Sequence, residues 1–148
     1  MKFDHIGIVV NDLAEGRRHL HAIFGIERWT EVFEDRGIGV LVQFGVGVDG
    51  PCYELIAPLG DGAPVSGALR SGKAILNHVA YLVEDLELAA DALQDEACVP
   101  VIGAKPAVAY HGRRVQFFQS PLRFLIEIIE ASGHQHQFLA HPPMRESE

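Results

Sequence analysis

Apolar and polar positions alternate through residues 2–10, the period-two signature of a strand. His5, Gly7 and Val9 share one face; Ile6, Ile8 and Val10 share the other. Asn11 or Asp12 can cap the helix that follows. Its apolar stripe is Leu13, Leu20, Ile23 and Phe24, and Gly25 marks its end. Strand patterns come next near 26–34, 38–46 and 51–57, parted by turns containing Gly, Asp and Pro. The order then recurs. A strand at 75–83 leads to a helix capped by Asp85, with Leu86, Ala89, Ala90, Leu93 and Ala97 inward, and to strands near 99–102, 113–118 and 123–130. Between the two runs, residues 58–73 hold Gly60, Gly62, Pro64, Gly67 and Gly72 and read as a joint, with room for a short helix around 65–70. From Ala131 the chain turns to His, Gln and Pro and reads as a loosely packed tail.

The recurrence extends to residue identity. Asp4-His5-Ile6-Gly7-Ile8-Val9-Val10-Asn11-Asp12-Leu13 returns, displaced by 73 residues, as Asn77-His78-Val79-Ala80-Tyr81-Leu82-Val83-Glu84-Asp85-Leu86. The same displacement carries Val42-Gln43-Phe44 onto Val115-Gln116-Phe117, Glu54 onto Glu127 and Ile56 onto Ile129. Two copies make a duplicated βαβββ module and not a solenoid. Each half is marginal in size as an independent unit. The expected organisation is therefore one domain over 1–148: module 1 about 1–57, joint 58–73, module 2 about 74–130, tail 131–148.

Composition narrows the function classes. Apolar residues form 48% of the chain and charged ones 22%, the balance of a soluble globular protein. A net charge of −8 argues against nucleic acid, whose phosphates need Lys and Arg. No apolar run is long enough to cross a bilayer, and no signal peptide is evident, so a cytoplasmic location is expected. Cys52 and Cys98 give no disulfide framework and read as small buried hydrophobes.

Chemistry enters with the company the repeat keeps. Each copy opens with a His on a strand and places a Glu on a strand 49 residues later: His5 with Glu54, and His78 with Glu127. Glutamates within Cys-Tyr-Glu-Leu-Ile-Ala and Phe-Leu-Ile-Glu-Ile-Ile are costly to bury unless paired or metal-bound. The bland alternative puts these strands at edges with the carboxylates in water. The matched spacing favours a metal site, with His5, Glu54, His78 and Glu127 as ligands. Imidazole and carboxylate without thiolate suit one octahedral divalent ion (Co, Ni, Zn, Mn or Fe) and leave two adjacent positions for a substrate. Other features read as bland: His19 and His21 as surface residues, His134, His136 and His141 as a solvated tail. The Arg pairs 17–18 and 113–114 read as solvated charge or as contacts to an anionic cofactor, and Gln43 and Gln116 as possible lining of a concave face.

The two His-bearing strands resemble the vicinal oxygen chelate superfamily, which includes glyoxalase I, bleomycin-resistance proteins, extradiol dioxygenases and methylmalonyl-CoA epimerases. Tyr53-Glu54-Leu55-Ile56-Ala57-Pro58-Leu59, running on to Val65, looks like the epimerase signature. Ala74–Tyr81 and His111–Phe117 continue the match, which covers about residues 3–130. The resemblance implies an α+β fold of two tandem βαβββ modules forming a curved, incomplete barrel (glyoxalase-like fold), a homodimer, and a metal on the concave face. The epimerase's proton-transfer carboxylate, in a Glu-x-Gly context, falls on Asp35 in Glu34-Asp35-Arg36-Gly37, with Glu34 as a neighbour that could substitute. The turn Gln119-Ser120-Pro121-Leu122-Arg123 departs from the longer loop epimerases often carry.

The function this implies is epimerisation of an acyl thioester of the methylmalonyl-CoA type. The metal would stabilise an enolate, while Glu127 and Asp35 (or Glu34) exchange the α-proton. The small-molecule partner is then an acyl-CoA or other thioester. A glyoxalase I-like lactoylglutathione lyase is the enzymatic alternative, since it needs the same ligand order and proton shuttle. A dioxygenase would leave three positions open, one of which Glu54 fills. A drug-sequestering protein of the same fold has no need of buried carboxylates.

Overall fold

The computed structural model describes residues 1–73 and 75–139; Ala74 and His141 lie outside them. In chain order the elements are β1 (Lys2–Val9), α1 (Leu13–Phe24), β2 (Arg28–Trp29), β3 (Phe33–Asp35), β4 (Val40–Val46), β5 (Cys52–Pro58) and α2 (Ser66–Ser71). They continue as β6 (Leu76–Val83), α3 (Leu86–Asp95), β7 (Val99–Pro100), β8 (Lys105–Pro106), a 3₁₀ turn (Val108–Tyr110), β9 (Arg114–Gln119) and β10 (Leu125–Glu130). One open sheet runs β2-β4-β5-β1-β6-β10-β9-β7, with β3 added on β4 and β8 on β9. The duplication is visible in that order. β4-β5-β1 and β9-β10-β6 are the same triplet, related by a pseudo-twofold between β1 and β6, which pair antiparallel. This is the curved, incomplete barrel of the glyoxalase-like fold.

Strand alternation sorts the core into layers. On one face of the sheet Phe44, Ile56, Ala80, Leu82, Val115 and Ile129 pack together. On the other, Leu55 and Ala57 pack against Leu13 and Leu20 of α1, and Phe118 and Ile128 against Leu86 and Ala90 of α3. Both helices start as the sequence indicates: Asp12 accepts from the Glu15 amide, Asp85 from the Leu88 amide. Gly25, at φ +65°, closes α1 in the left-handed region where glycine carries no Cβ penalty.

Four expectations need correction. Ile23 and Phe24 are about half exposed and not part of the inner stripe, because α1 buries a narrower line through Leu13, Gly16 and Leu20. Ala97 is exposed at φ +63°, beyond the end of α3. The strand pattern at 26–34 is two short strands, broken where the buried Thr30 hydroxyl accepts from the Phe44 amide. The described part of the tail, residues 131–139, is not loose. The Ala131 amide bonds to the Val83 carbonyl, Phe138 joins the core, and the Leu139 amide reaches the Trp29 carbonyl. Among the described residues no helix is long and apolar enough to cross a membrane. Cys52 and Cys98 are both buried and unpaired; burial pushes the Cys52 thiol up to about 12.

Candidate metal centre

β1 and β6 lie side by side with Gly7 opposite His78 and Ala80 opposite His5, so each imidazole rises over a small residue of the other strand. Gly7 and Ala80 are themselves equivalent in the repeat. The fit at Gly7 is tight: a Cβ there would lie 2.1 Å from Cε1 of His78. Phe44 meets the His5 ring edge-on at 5.1 Å, and its repeat partner Phe117 meets His78 in the same way at 5.2 Å. The carboxylates arrive from the flanking strands, Glu54 on β5 beside β1 and Glu127 on β10 beside β6. Neither strand is an edge, which disposes of the reading that puts the glutamates in water.

The four side chains converge. The two imidazole Nε2 atoms are 3.1 Å apart. Glu54 Oε2 lies 3.0 Å from that of His5 and 3.1 Å from that of His78. Glu127 Oε2 lies at 3.3 and 3.1 Å. All four residues are buried, yet among the described residues neither Oε2 has an aligned hydrogen-bond donor. A point between four atoms so spaced is about 2 Å from each, the length of a Zn–N or Zn–O bond. Each Nδ1 is already committed, that of His5 to Asp4 Oδ2 at 2.8 Å and that of His78 to Asn77 Oδ1 at 2.9 Å. Those acceptors orient the rings and turn the Nε2 lone pairs of the neutral forms inward. The donor set fits a divalent cation.

Asp4, Asn77 and Tyr110 contact the candidate cluster and were missed by the sequence reading. The repeat held a signal for the first two, since Asp4 and Asn77 each precede a ligand histidine. In an undisturbed strand Asp4 would face away from His5, but the β1–β6 register shifts between Phe3 and His5, and such bulges re-aim side chains. Tyr110 donates its hydroxyl proton to Asp4 Oδ2 at 2.6 Å. Burial, with the Glu127 and Asp4 charges nearby, pushes the Tyr110 phenol well above its usual value and keeps it neutral.

A cavity of about 340 Å³ opens onto the cluster. Glu54, His78 and Glu127 line its inner end, Val40, Val42 and Ile56 its apolar walls, and Asp35 and Lys105 also face it. Asp35 is buried; its oxygens accept from the amides of Ile38 at 3.1 Å and Val108 at 3.0 Å. Glu34 is exposed, bound to Arg36, and does not line the cavity. The two glutamines do not line it either. Gln43 lies on the α1 side, accepting from Arg17 and donating to the Thr30 carbonyl, and Gln116 is likewise absent from the cavity wall. Arg114 is held by Glu87 and Glu130.

Without metal the cluster ties stability to pH. Burial opposes ionisation of Glu54, but the charge of His5, with that of His78 beside it, outweighs it and carries the carboxyl down to about 2 from 4.5. Burial also opposes protonation of His5 and His78, and the two glutamates overcome it, raising both above 6.5. A depressed carboxyl stabilises the fold above 4.5, and that contribution is lost as pH falls through 2. The raised histidines stabilise it below 6.5, and theirs is lost as pH rises through their folded values. Chelator-stripped protein should therefore melt highest between pH 4.5 and 6.5. Added Co²⁺ should reverse the alkaline decline, because it needs the neutral imidazoles. Thermal melts from acid to alkaline pH, with EDTA or with Co²⁺, check this; a stripped protein that grows more stable above pH 6.5 would contradict it.

Two like modules that each send a His and a Glu from neighbouring strands into one shared cleft define a class of duplicated-module proteins with a candidate metal-binding cluster. The Glyoxalase/Bleomycin resistance protein/Dioxygenase superfamily model matches residues 4–117; the chain belongs to this superfamily. It is 32% identical over 119 residues to an ethylmalonyl-CoA/methylmalonyl-CoA epimerase of Cereibacter sphaeroides, covering 78% of this chain and 86% of the relative. It is 30% identical over 139 residues to the uncharacterised protein YqjC of Bacillus subtilis, covering 91% and 96%. The crystal structure of methylmalonyl-CoA epimerase from Mycobacterium tuberculosis superposes with a TM-score of 0.71 at 22% identity, covering 89% of each chain.

Proposed function

We propose that this protein is a divalent-metal-dependent epimerase that moves the α-proton of an acyl thioester of the methylmalonyl-CoA type. The observation that carries the reading is that Asp35 and Glu127, carboxylates from different modules, line the same cavity as the ligand cluster. The similarity to the Cereibacter epimerase supports it. His5, Glu54, His78 and Glu127 would hold the ion. When bound, the ion supplies a Lewis acid for the thioester carbonyl oxygen as negative charge develops there.

The remaining chemistry belongs to the chain. Glu127 takes the α-proton from one face as the C–H bond breaks, and the Asp35 carboxyl gives its proton to the opposite face. Proton exchange with solvent restores both carboxyls before the next turnover in the same direction. The amides of Ile38 and Val108 occupy two of the four acceptor positions of Asp35, fixing its carboxyl and leaving two for proton transfer. Val40, Val42 and Ile56 exclude water from the carbanionic centre. Lys105 faces the same cavity and can meet an anionic part of the substrate.

The test is proton NMR of each methylmalonyl-CoA epimer in deuterium oxide, with Co²⁺-loaded protein and a protein-free tube for background. The expected result is exchange coupled to inversion. Asp35→Asn should slow inversion by about 10²–10⁴, while the epimer whose proton faces Glu127 still exchanges; Glu34→Gln should leave both unchanged. No exchange above background with metal bound would sink the reading. Isomerisation of a glutathione hemithioacetal by the same preparation would then assign the lyase activity instead.

A further inference from the structure

Residues 131–139 follow the second module in sequence but close over the first. His134 Nδ1 donates to Asp4 Oδ1 at 2.6 Å. His136 stacks on Phe44 with ring centroids 3.6 Å apart, and its Nε2 lies 3.1 Å from the Tyr110 hydroxyl. The side chains of Asp4 and His136 are fully buried. Asp4 is thus a buried carboxylate with a donor for each oxygen: Tyr110 and His5 on Oδ2, His134 on Oδ1. The Tyr110 proton is spent on Asp4, so the phenol oxygen accepts from His136. This gives the relay one direction: His136 to Tyr110 to Asp4.

The geometry points to His134 and His136 as positioning residues for the metal centre, acting on His5 through Asp4. This rests on the metal reading above. A buried carboxylate oxygen left without its donor costs free energy. If His134 is lost, the carboxylate can recover a partner only by turning, and that moves Oδ2 off His5 Nδ1. If His136 is lost, the Tyr110 hydroxyl is free to turn away from Asp4. In either case the His5 ring loses the acceptor that aims its Nε2. The corresponding position in the second module is Asn77, a neutral amide, so the charged arm of the centre is the one the tail covers.

Calorimetric titration of chelator-stripped full-length protein with Co²⁺, with visible spectra of the product, tests this. His134→Ala/His136→Ala should bind Co²⁺ about tenfold or more weakly than wild type, with a changed d–d spectrum. Tyr110→Phe, which leaves the tail intact, should weaken binding comparably. His134→Asn/His136→Gln keeps an N–H near each lost nitrogen and should restore both affinity and spectrum. His136→Phe keeps the stacking on Phe44 without the donor and should not. Wild-type affinity in the alanine pair or in His136→Phe would overturn the inference, as would failure of the Asn/Gln pair to rescue. A second equivalent of Co²⁺ on wild type, lost in the alanine pair, would make the tail cluster a metal site in its own right and also overturn it. Wild type that binds no Co²⁺ would bring down the metal reading as well.

Discussion

His78→Ala is expected to abolish stoichiometric divalent-metal binding and to lower α-proton exchange by at least about a thousandfold, on the order of 4 kcal/mol of barrier. The reason lies in charge as well as ligand count. Glu54 Oε2 and Glu127 Oε2 each sit within about 3 Å of both imidazoles, and no other donor is aligned on them. Removing one imidazole leaves two buried carboxylates facing a single ring, so the stripped variant should also melt lower than stripped wild type. Metal analysis after dialysis, together with the exchange assay, reads the first effect, and calorimetry reads the second. His19→Ala on the exposed side of α1 is the matched control. Full metal content in His78→Ala would remove the cluster from consideration as the binding site.

Gly7→Ala should be almost as damaging, though it touches no ligand atom chemically. The added methyl would lie 2.1 Å from Cε1 and 2.6 Å from Nε2 of His78, well inside any allowed contact. The ring, which also meets Phe117 edge-on, has to tilt or the β1–β6 pair has to part. Overpacking of this kind costs about 1–3 kcal/mol of stability. The larger consequence is for the centre: a ligand displaced by an ångström no longer shares a focus with the other three. We expect a fall in melting temperature together with loss of Co²⁺ binding in titration. Ala80→Gly, at the equivalent position beneath His5, should lose stability but keep the metal. If Gly7→Ala binds Co²⁺ normally, the close packing of His78 on β1 is not a constraint on the site.

These two substitutions also show where the sequence was readable. The repeat exposed His5, Glu54, His78 and Glu127, which the fold brings together, because the two modules keep both identity and spacing at these positions, and strand alternation put Gly7 and Ala80 on the faces that carry His5 and His78. What it could not expose depends on departures from regular geometry. Asp4 points toward His5 only because β1 bulges there. Tyr110 sits in a 3₁₀ turn whose Ala- and Pro-rich surroundings carry no helical or strand period. His136 looked like part of a polar tail, since composition does not reveal that a histidine will stack on Phe44 more than ninety residues away. Ile23 and Phe24 erred in the other direction: helical spacing marks a possible inner stripe but not how wide a stripe the sheet will cover.

The pairing of β1 with both β5 and β6 has a kinetic side. The four side chains that converge in the centre come from positions far apart in the chain, and Glu127 follows His5 by 122 residues. Folds dominated by such distant pairings cross their barrier in milliseconds to seconds, slowly for their size. A chain folded only as far as β6 presents two imidazoles and one carboxylate; the fourth ligand arrives when β10 docks beside β6. Tight coordination should therefore develop at the closing step of refolding, and the growth of Co²⁺ absorbance after dilution from denaturant would time the docking of that last strand.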